Sequence, residues 1–328
     1  MRKVKVAAVQ PGRVEIPERY QWHLPGYDND PRGILNTFVK KQLDVTLRLI
    51  EQAGAERCDI VTTCEDAGGV SAYGIDISEK NVFPELVGLA QPVIEAAFAE
   101  LSRKHSMYIV GCYHVRENGK VYNTASVFDR GGQIVGAYRK VQLPSDEKWQ
   151  TTAGDSFGVF DLDFGRVGIA ICYDMFFQEP AQILALNGAE IIFHPTYGYG
   201  WYDSIGEATL RTRASDNCVY IVTSKNYIYN HAGKSSVIDP WGQVLADAGF
   251  YRDVIVTKEI DLDDKKLQPE WFFPCPLTGI RDAGERARKE RRPEIYGRVC
   301  EPNEQLEEFG KEKKLEILAK IKSGEYHW

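Results

Sequence analysis

Hydrophobic and polar positions along the chain follow two alternating periods. Lys3 to Gln10 is a nearly unbroken apolar run after its first residues and reads as a buried strand. Pro11, Pro17, Pro25 and Pro31 punctuate residues 11–33, which read as a long loop. Leu35, Phe38, Val39, Leu43, Leu47 and Ile50 then fall on one stripe of a helix that stops at Gly54. Asp59 to Thr63 reads as a strand, and Val93, Ile94, Ala97, Phe98 and Leu101 mark a second helix. Strands are predicted at 108–115, 121–129 and 134–138, with Asn118-Gly119 and Gly131-Gly132 as the hairpin turns between them. Further on come a buried strand from Val167 to Cys172, a helix from about Glu179 to Asn187, and strands at 191–193, 219–224 and 235–238. Strands that alternate with helices and hairpins predict a layered α/β fold.

Two helix-to-strand junctions resemble each other. Gly54-Ala55-Glu56 precedes Asp59-Ile60-Val61, and Gly188-Ala189-Glu190 precedes Ile191-Ile192-Phe193, which hints at an internal two-fold repeat. From about Asp261 the pattern turns charged and irregular. Leu306, Phe309, Leu315, Leu318 and Ile321 mark a last helix that packs on the body or on another subunit. The basic residues between Arg281 and Arg292 are interleaved with acidic ones, as on a solvated helix or an inter-subunit arm.

Composition narrows the function classes. The chain has 328 residues, 43% hydrophobic and 27% charged, enough to bury a core without disulfides or a structural metal. Its net charge of −7 argues against a nucleic-acid partner. No apolar run approaches the ~18 residues of a membrane span, and the N-terminus runs into a strand without the apolar segment of a secretory signal. Seven cysteines without a CxxC pair predict reduced thiols and a cytoplasmic protein.

The chemistry starts from Cys172, at the end of the strand Gly168-Ile-Ala-Ile171 and ahead of Tyr173-Asp174 and a helix. A lone thiol is commonly an inert core residue, but a strand-to-helix turn can expose it beside backbone N–H groups. Amide cleavage by a thiol needs a proton acceptor, a stabilised oxyanion and an acid for the leaving amine. Six histidines are present, and none is tied to Cys172 by a motif. His194, before Pro195-Thr196, is the nearest and is expected to line the site. Glu65 and Lys140 both sit just past strand ends, where α/β folds gather functional groups. A carboxylate can move the proton, and an ammonium can steady thiolate and oxyanion.

Together these residues resemble the nitrilase (carbon–nitrogen hydrolase) superfamily. The pattern is Glu65, then Tyr138-Arg-Lys140 followed by Leu143-Pro144, then Gly168 with Ile171-Cys172-Tyr-Asp174. Val6 to Gln10, Tyr122-Asn123, the segment Arg211 to Asn217, and Gly233 to Gly242 extend it over residues 4–262. The resemblance implies a four-layer αββα sandwich over residues 1–262, with an extended C-terminal tail at 263–328. It implies Glu65 as general base and acid, Lys140 as oxyanion stabiliser, Cys172 as nucleophile and Glu147 as a supporting carboxylate. Tyr173 would give the oxyanion its backbone N–H. It implies no cofactor and no metal, and a homodimer or larger homo-oligomer. Two departures stand out: Cys64 replaces the usual Pro before the glutamate, and Gln178 replaces a common Pro before Glu179.

The expected function is hydrolysis of a non-peptide C–N bond in a small molecule through a thioester, on an amide or N-carbamoyl substrate. Cys172-Tyr-Asp174 resembles the amidase and carbamoylase branches, whereas nitrilases proper carry Cys-Trp-Glu. Nitrile hydrolysis, a soluble acyltransferase and a non-catalytic binding member are the alternatives. The aromatic run from Pro195 to Tyr202, with Tyr197 at its head, is expected either to wall the substrate pocket or to form a subunit contact. Arg211 and Arg213 are either carboxylate ligands or members of structural ion pairs.

Overall fold

Apolar strands build two six-stranded sheets, which face each other across a shared core. The computed structural model describes residues 1–144, 146–198, 203–227, 233–264, 283–301 and 310–325. The first sheet contains β1 (Lys3–Gln10), β2 (Ile60–Thr62), β3 (Tyr108–Glu117), β4 (Lys120–Phe128), β5 (Ile134–Arg139) and β12 (Val254–Asp261), in the order β12-β1-β2-β3-β4-β5. The second contains β6 (Val159–Leu162), β7 (Gly165–Ile169), β8 (Ile191–Thr196), β9 (Tyr220–Lys225), β10 (Ser236–Ile238) and β11 (Val244–Asp247), in the order β11-β10-β9-β8-β7-β6.

Each half repeats one plan. β1, β2 and β3 are parallel and lead into antiparallel β4 and β5. β7, β8 and β9 are parallel and lead into antiparallel β10 and β11. One strand closes each far edge antiparallel, β12 on β1 and β6 on β7. The two similar junctions at 54–56 and 188–190 precede β2 and β8, which hold matching places.

Helices cover the outer faces. On the first sheet lie α2 (Lys40–Ala55) and α3 (Phe83–His105), with α1 (Pro31–Ile34) and a π-helical turn (Leu35–Val39) leading into α2. On the second lie α4 (Glu179–Leu186) and α5 (Asp203–Asn217). Val4, Val6 and Ala8 of β1 face the other sheet with Ile169, Phe193 and Val222, while Ala7 and Val9 face α2 and α3. Ile192 and Ile221 meet Leu184 and Leu210 on the other side. Strands buried on both faces read as continuous apolar runs, which is why β1 and β8 lack alternation. A fully buried side chain of this kind contributes about 1.5–3 kcal/mol. The layers run helix, sheet, sheet, helix, the αββα sandwich expected from the resemblance.

Some boundaries differ from the sequence-based expectation. The strand predicted to reach Cys172 ends its ladder at Ile169, because the chain turns there into a short 3-10 helix (Cys172–Phe176). β6, β11, β12 and α5 were not predicted. Two of these strands have four residues with no fully buried position, and the burial of β12 comes from a partner about 250 residues away. In the tail, the helix Lys311–Lys322 buries Leu318 in the cluster formed with α2 and α3, and Lys322 lies over the Trp22 ring. Leu306 and Phe309 lie outside the described residues. No helix among the described residues is long and apolar enough to cross a membrane.

Candidate active site

The site lies between the sheets at the carboxyl ends of the parallel strands. Glu65 stands three residues past β2, and Asp66 behind it adopts φ 55°, which turns the chain sharply. The Glu65 carboxylate is buried but fully occupied. Its Oε1 accepts from Asn123 Nδ2 at 2.8 Å and from Lys140 Nζ at 2.9 Å, and its Oε2 accepts from the Tyr197 backbone N–H at 2.9 Å.

Lys140 follows β5 directly. Its N–H donates to the Asn123 carbonyl, and its own carbonyl accepts from Gly154 N–H at 2.8 Å. A Cβ at residue 154 would lie 2.2 Å from the Arg139 carbonyl oxygen, so only glycine lets this segment close on the lysine. Nζ donates onward to Glu147 Oε2 at 2.6 Å, and Glu147 Oε1 accepts from Asn123 Nδ2 at 2.9 Å. The ammonium is 2% exposed and sits between two carboxylates. Burial works against its charge, but Glu65 and Glu147 more than offset that and hold its pKa well above the ordinary value. Burial, joined by the charge of Glu65, leaves Glu147 raised despite Lys140.

This network makes Lys140 structural as well as chemical. Lys140→Ala should lower stability by about 3–5 kcal/mol, because it strands two buried carboxylates. Denaturant unfolding at neutral pH checks this. A loss below about 1 kcal/mol would mean that the Lys140 ammonium is not what holds Glu65 and Glu147 in the core.

Cys172 opens the 3-10 turn at φ 45°, a left-handed conformation rare for a residue with a side chain. The turn is held by Asp174. Asp174 Oδ2 accepts from the Ile171 N–H and the Tyr138 hydroxyl, both at 2.7 Å, and Oδ1 accepts from Gln142 N–H at 2.8 Å. One buried carboxylate therefore ties the cysteine turn to the segment that carries Lys140. The Cys172 thiol lies beside Glu65 and Thr196, and burial followed by the Glu65 charge raises its pKa. At neutral pH the resting group is a thiol.

Burial also raises Asp174, to about 6 from an unfolded value of 3.8. A raised acid holds its proton longer in the folded state. Its contribution to stability is complete below about pH 4 and disappears as pH rises through 6. The stability difference between the parent and Asp174→Asn should therefore shift between pH 4 and 7, and a flat difference across that window would contradict this assignment.

His194 faces the Cys172 backbone. Its Nε2 lies 3.3 Å from the Cys172 carbonyl oxygen, and its Nδ1 lies 3.0 Å from Thr223 Oγ1. A carbonyl only accepts, so Nε2 carries the hydrogen and Nδ1 accepts from the threonine. Burial lowers the His194 pKa to about 4, leaving it neutral at physiological pH. The Tyr173 ring packs on Phe176 and Phe177, and Arg13 lies over the Tyr197 ring at 4.5 Å. Arg211 donates to the Gly242 carbonyl and pairs with Glu207. Cys64 is buried and donates to Asn226 Oδ1. Residues 199–202 of the aromatic run lie outside the described residues.

Asn123 and Thr196 were not predicted as site residues. A buried asparagine in the middle of β4 was the available signal, since its amide must find partners. Thr196 gave none.

The model for carbon-nitrogen hydrolases matches residues 6–268. The chain belongs to the carbon–nitrogen hydrolase family. It is 36% identical over 201 residues to an omega-amidase of Homo sapiens, covering 56% of this chain and 72% of the relative. It is 32% identical over 235 residues to the omega-amidase of Mus musculus, covering 67% and 82%. A carbon-nitrogen hydrolase from Helicobacter pylori has the same fold, with a TM-score of 0.68, 22% identity and coverage of 92% and 99%. So does an amidase from Nesterenkonia, with a TM-score of 0.67, 19% identity and coverage of 90% and 96%.

Proposed function

We propose that the protein hydrolyses the C–N bond of a small-molecule amide through a thioester on Cys172. The observation that carries this is one buried network, Asn123–Glu65–Lys140–Glu147, beside a thiol held at a left-handed turn. Glu65 takes the thiol proton as Sγ attacks the carbonyl carbon. Lys140 Nζ and the Tyr173 N–H hold the oxyanion. Glu65 returns the proton to the amide nitrogen, the C–N bond breaks and the amine leaves. Glu65 then takes a proton from water, hydroxide attacks the thioester, and the acid departs as the proton returns to sulfur.

The charge arithmetic favours this order. At rest, two carboxylates face one ammonium. When the thiol proton moves to Glu65, that carboxylate becomes neutral and the negative charge reappears on the substrate oxygen. Lys140 thus exchanges one anionic partner for another, and Glu147 keeps it protonated throughout. The buried charge moves without growing, which is the condition for stabilising an oxyanion in a site that water does not screen.

Amides close to those of the omega-amidase relatives, which carry the amide at the far end of the molecule, are the first substrates to test. N-carbamoyl amino acids and nitriles complete the panel. The decisive experiment is acid-quenched mass spectrometry of the intact protein during turnover. The expected result is an acyl group on the peptide containing Cys172 and stoichiometric ammonia release. Ammonia release with no acyl-enzyme, or an adduct on Cys64 or Cys112, would overturn the mechanism. Hydroxamate in place of acid when hydroxylamine is added would reveal acyl transfer. Phe176, Phe177, Ile183 and Leu186, each 37–41% exposed beside the cysteine turn and α4, suit the expected homo-oligomer contact.

A further inference from the structure

Cys64 marks a point where this chain departs from the family pattern, directly before the acid–base carboxylate. The main chain leaves the first sheet after Thr63, whose N–H donates to the Val110 carbonyl at 3.0 Å. It returns at Ala67, whose N–H donates to the Cys112 carbonyl at 2.9 Å. Cys64, Glu65 and Asp66 lie between these two bonds, outside the ladder. The Glu65 carboxylate is gripped by Asn123, Lys140 and Tyr197, and its main-chain carbonyl accepts from Asn226 Nδ2 at 3.3 Å. Asn226 Oδ1 in turn accepts from the Cys64 thiol at 3.2 Å. Cys64 is 1% exposed and Asn226 is 3% exposed, so water does not compete for these bonds.

Chemistry dictates which way the amide points. A carbonyl only accepts, so the atom that faces the Glu65 carbonyl is the nitrogen, and the oxygen is turned to the thiol. Asn226 follows β9 directly, and the main chain on either side of it is tied. Lys225 N–H donates to Ser235 Oγ at 2.9 Å, and Tyr227 N–H donates to the Pro11 carbonyl at 2.8 Å. The second sheet therefore presents a fixed amide to the strand end that carries Glu65. The usual proline at position 64 has no side-chain donor to offer that amide.

We propose that Cys64 is a positioning residue for Glu65: its thiol orients the Asn226 amide, and the amide holds the main chain from which the Glu65 carboxylate reaches Cys172. The catalytic consequence rests on the amide-hydrolase reading, in which Glu65 moves the proton. Cys64 itself touches no reacting atom and makes no bond in the reaction. Its effect is geometric, and a displacement of about 1 Å at a reacting group can cost about a hundredfold in rate. The competing role for a buried thiol is to fill space as a small hydrophobe.

Kinetics of four single variants and one double variant separate these roles, each protein first checked for an intact thermal transition. Cys64→Ala should lower kcat about tenfold and leave KM within about twofold. Cys64→Val fills the volume without a donor and should match alanine. Cys64→Ser keeps a hydroxyl for Asn226 Oδ1 and should restore kcat to within about threefold of the parent. Cys64→Ala added to Asn226→Ala should cost nothing further, because the thiol acts only through the amide. A last readout needs no substrate. The pH midpoint for alkylation of Cys172, followed on its own peptide, should move in Cys64→Ala and Asn226→Ala and stay in Cys64→Ser, since the Glu65 charge acts on that thiol. Equal losses in alanine and serine, or a valine variant as active as the parent, would make Cys64 a packing residue and overturn the proposal. So would losses that add to those of Asn226→Ala, or a Cys64→Ala protein with kcat and midpoint both unchanged. If the parent hydrolyses no amide of the panel but the midpoint shift and its rescue by serine are seen, the amide-hydrolase reading falls and the positioning role stands. If amides are hydrolysed and Cys64→Ala matches the parent in both readouts, the reverse holds.

Discussion

Cys172→Ala should reduce amide turnover by about 10⁴- to 10⁶-fold, as loss of a nucleophile does elsewhere, while the protein stays folded. The reason for the second half lies in the backbone. Residue 172 sits at φ 45°, and alanine has the same Cβ and the same preference against that region as cysteine, so the strain of the turn is unchanged. The supports of the turn are also untouched, because His194 grips the residue 172 carbonyl and Asp174 grips the Ile171 N–H. What disappears is only the sulfur, beside Glu65 and Thr196. Ammonia release and a denaturation curve on the same preparation check both halves. Retention of more than about one part in a hundred of the activity would exclude the thioester route. A collapse in stability would mean that the thiol is a packing element and that lost activity says nothing about chemistry.

The sequence made the individual chemical groups legible, and their mutual support much less so. Glu65, Lys140 and Cys172 stand out because a charged residue or a thiol just past an apolar strand violates the local pattern, and such violations cluster at functional sites. The sandwich was readable for a related reason, since strands covered on both sides must be apolar throughout. The remaining features depend on distance in space. Nothing around Val254 to Asp261 announces that it will lie antiparallel to β1, because the partner is at the other end of the chain. His194 is expected from the sequence only to line the site, and the Cys172 carbonyl and Thr223 fix its tautomer. Asp174 reads as one letter of a motif, whereas its three hydrogen bonds join two loops more than thirty residues apart.

Glu65→Gln separates charge from shape at the centre of the network. Glutamine fills the same volume, and its carbonyl oxygen can still accept from Asn123 and Lys140 in place of Oε1. Its amide nitrogen then faces the Tyr197 N–H, a donor against a donor, so a modest loss of stability is expected. Lys140 keeps Glu147 as its counter-charge and stays buried as an ion pair. Turnover should nevertheless fall by about 10²- to 10⁴-fold, the usual contribution of a general acid–base, because no group remains to take the thiol proton or to return it to the leaving amine. The same substitution should move the thiol in the opposite sense. Glu65 is the main nearby charge that holds the Cys172 thiol above its ordinary pKa, and glutamine removes it while Lys140 remains. The pH midpoint for alkylation of Cys172 should therefore drop in Glu65→Gln even as hydrolysis collapses. A thiol that ionises more readily in an enzyme that works less well distinguishes a proton carrier from a structural carboxylate. If the alkylation midpoint stays where it is and turnover survives, Glu65 serves only to hold Lys140 and Tyr197 in place, and the proton must travel by another group.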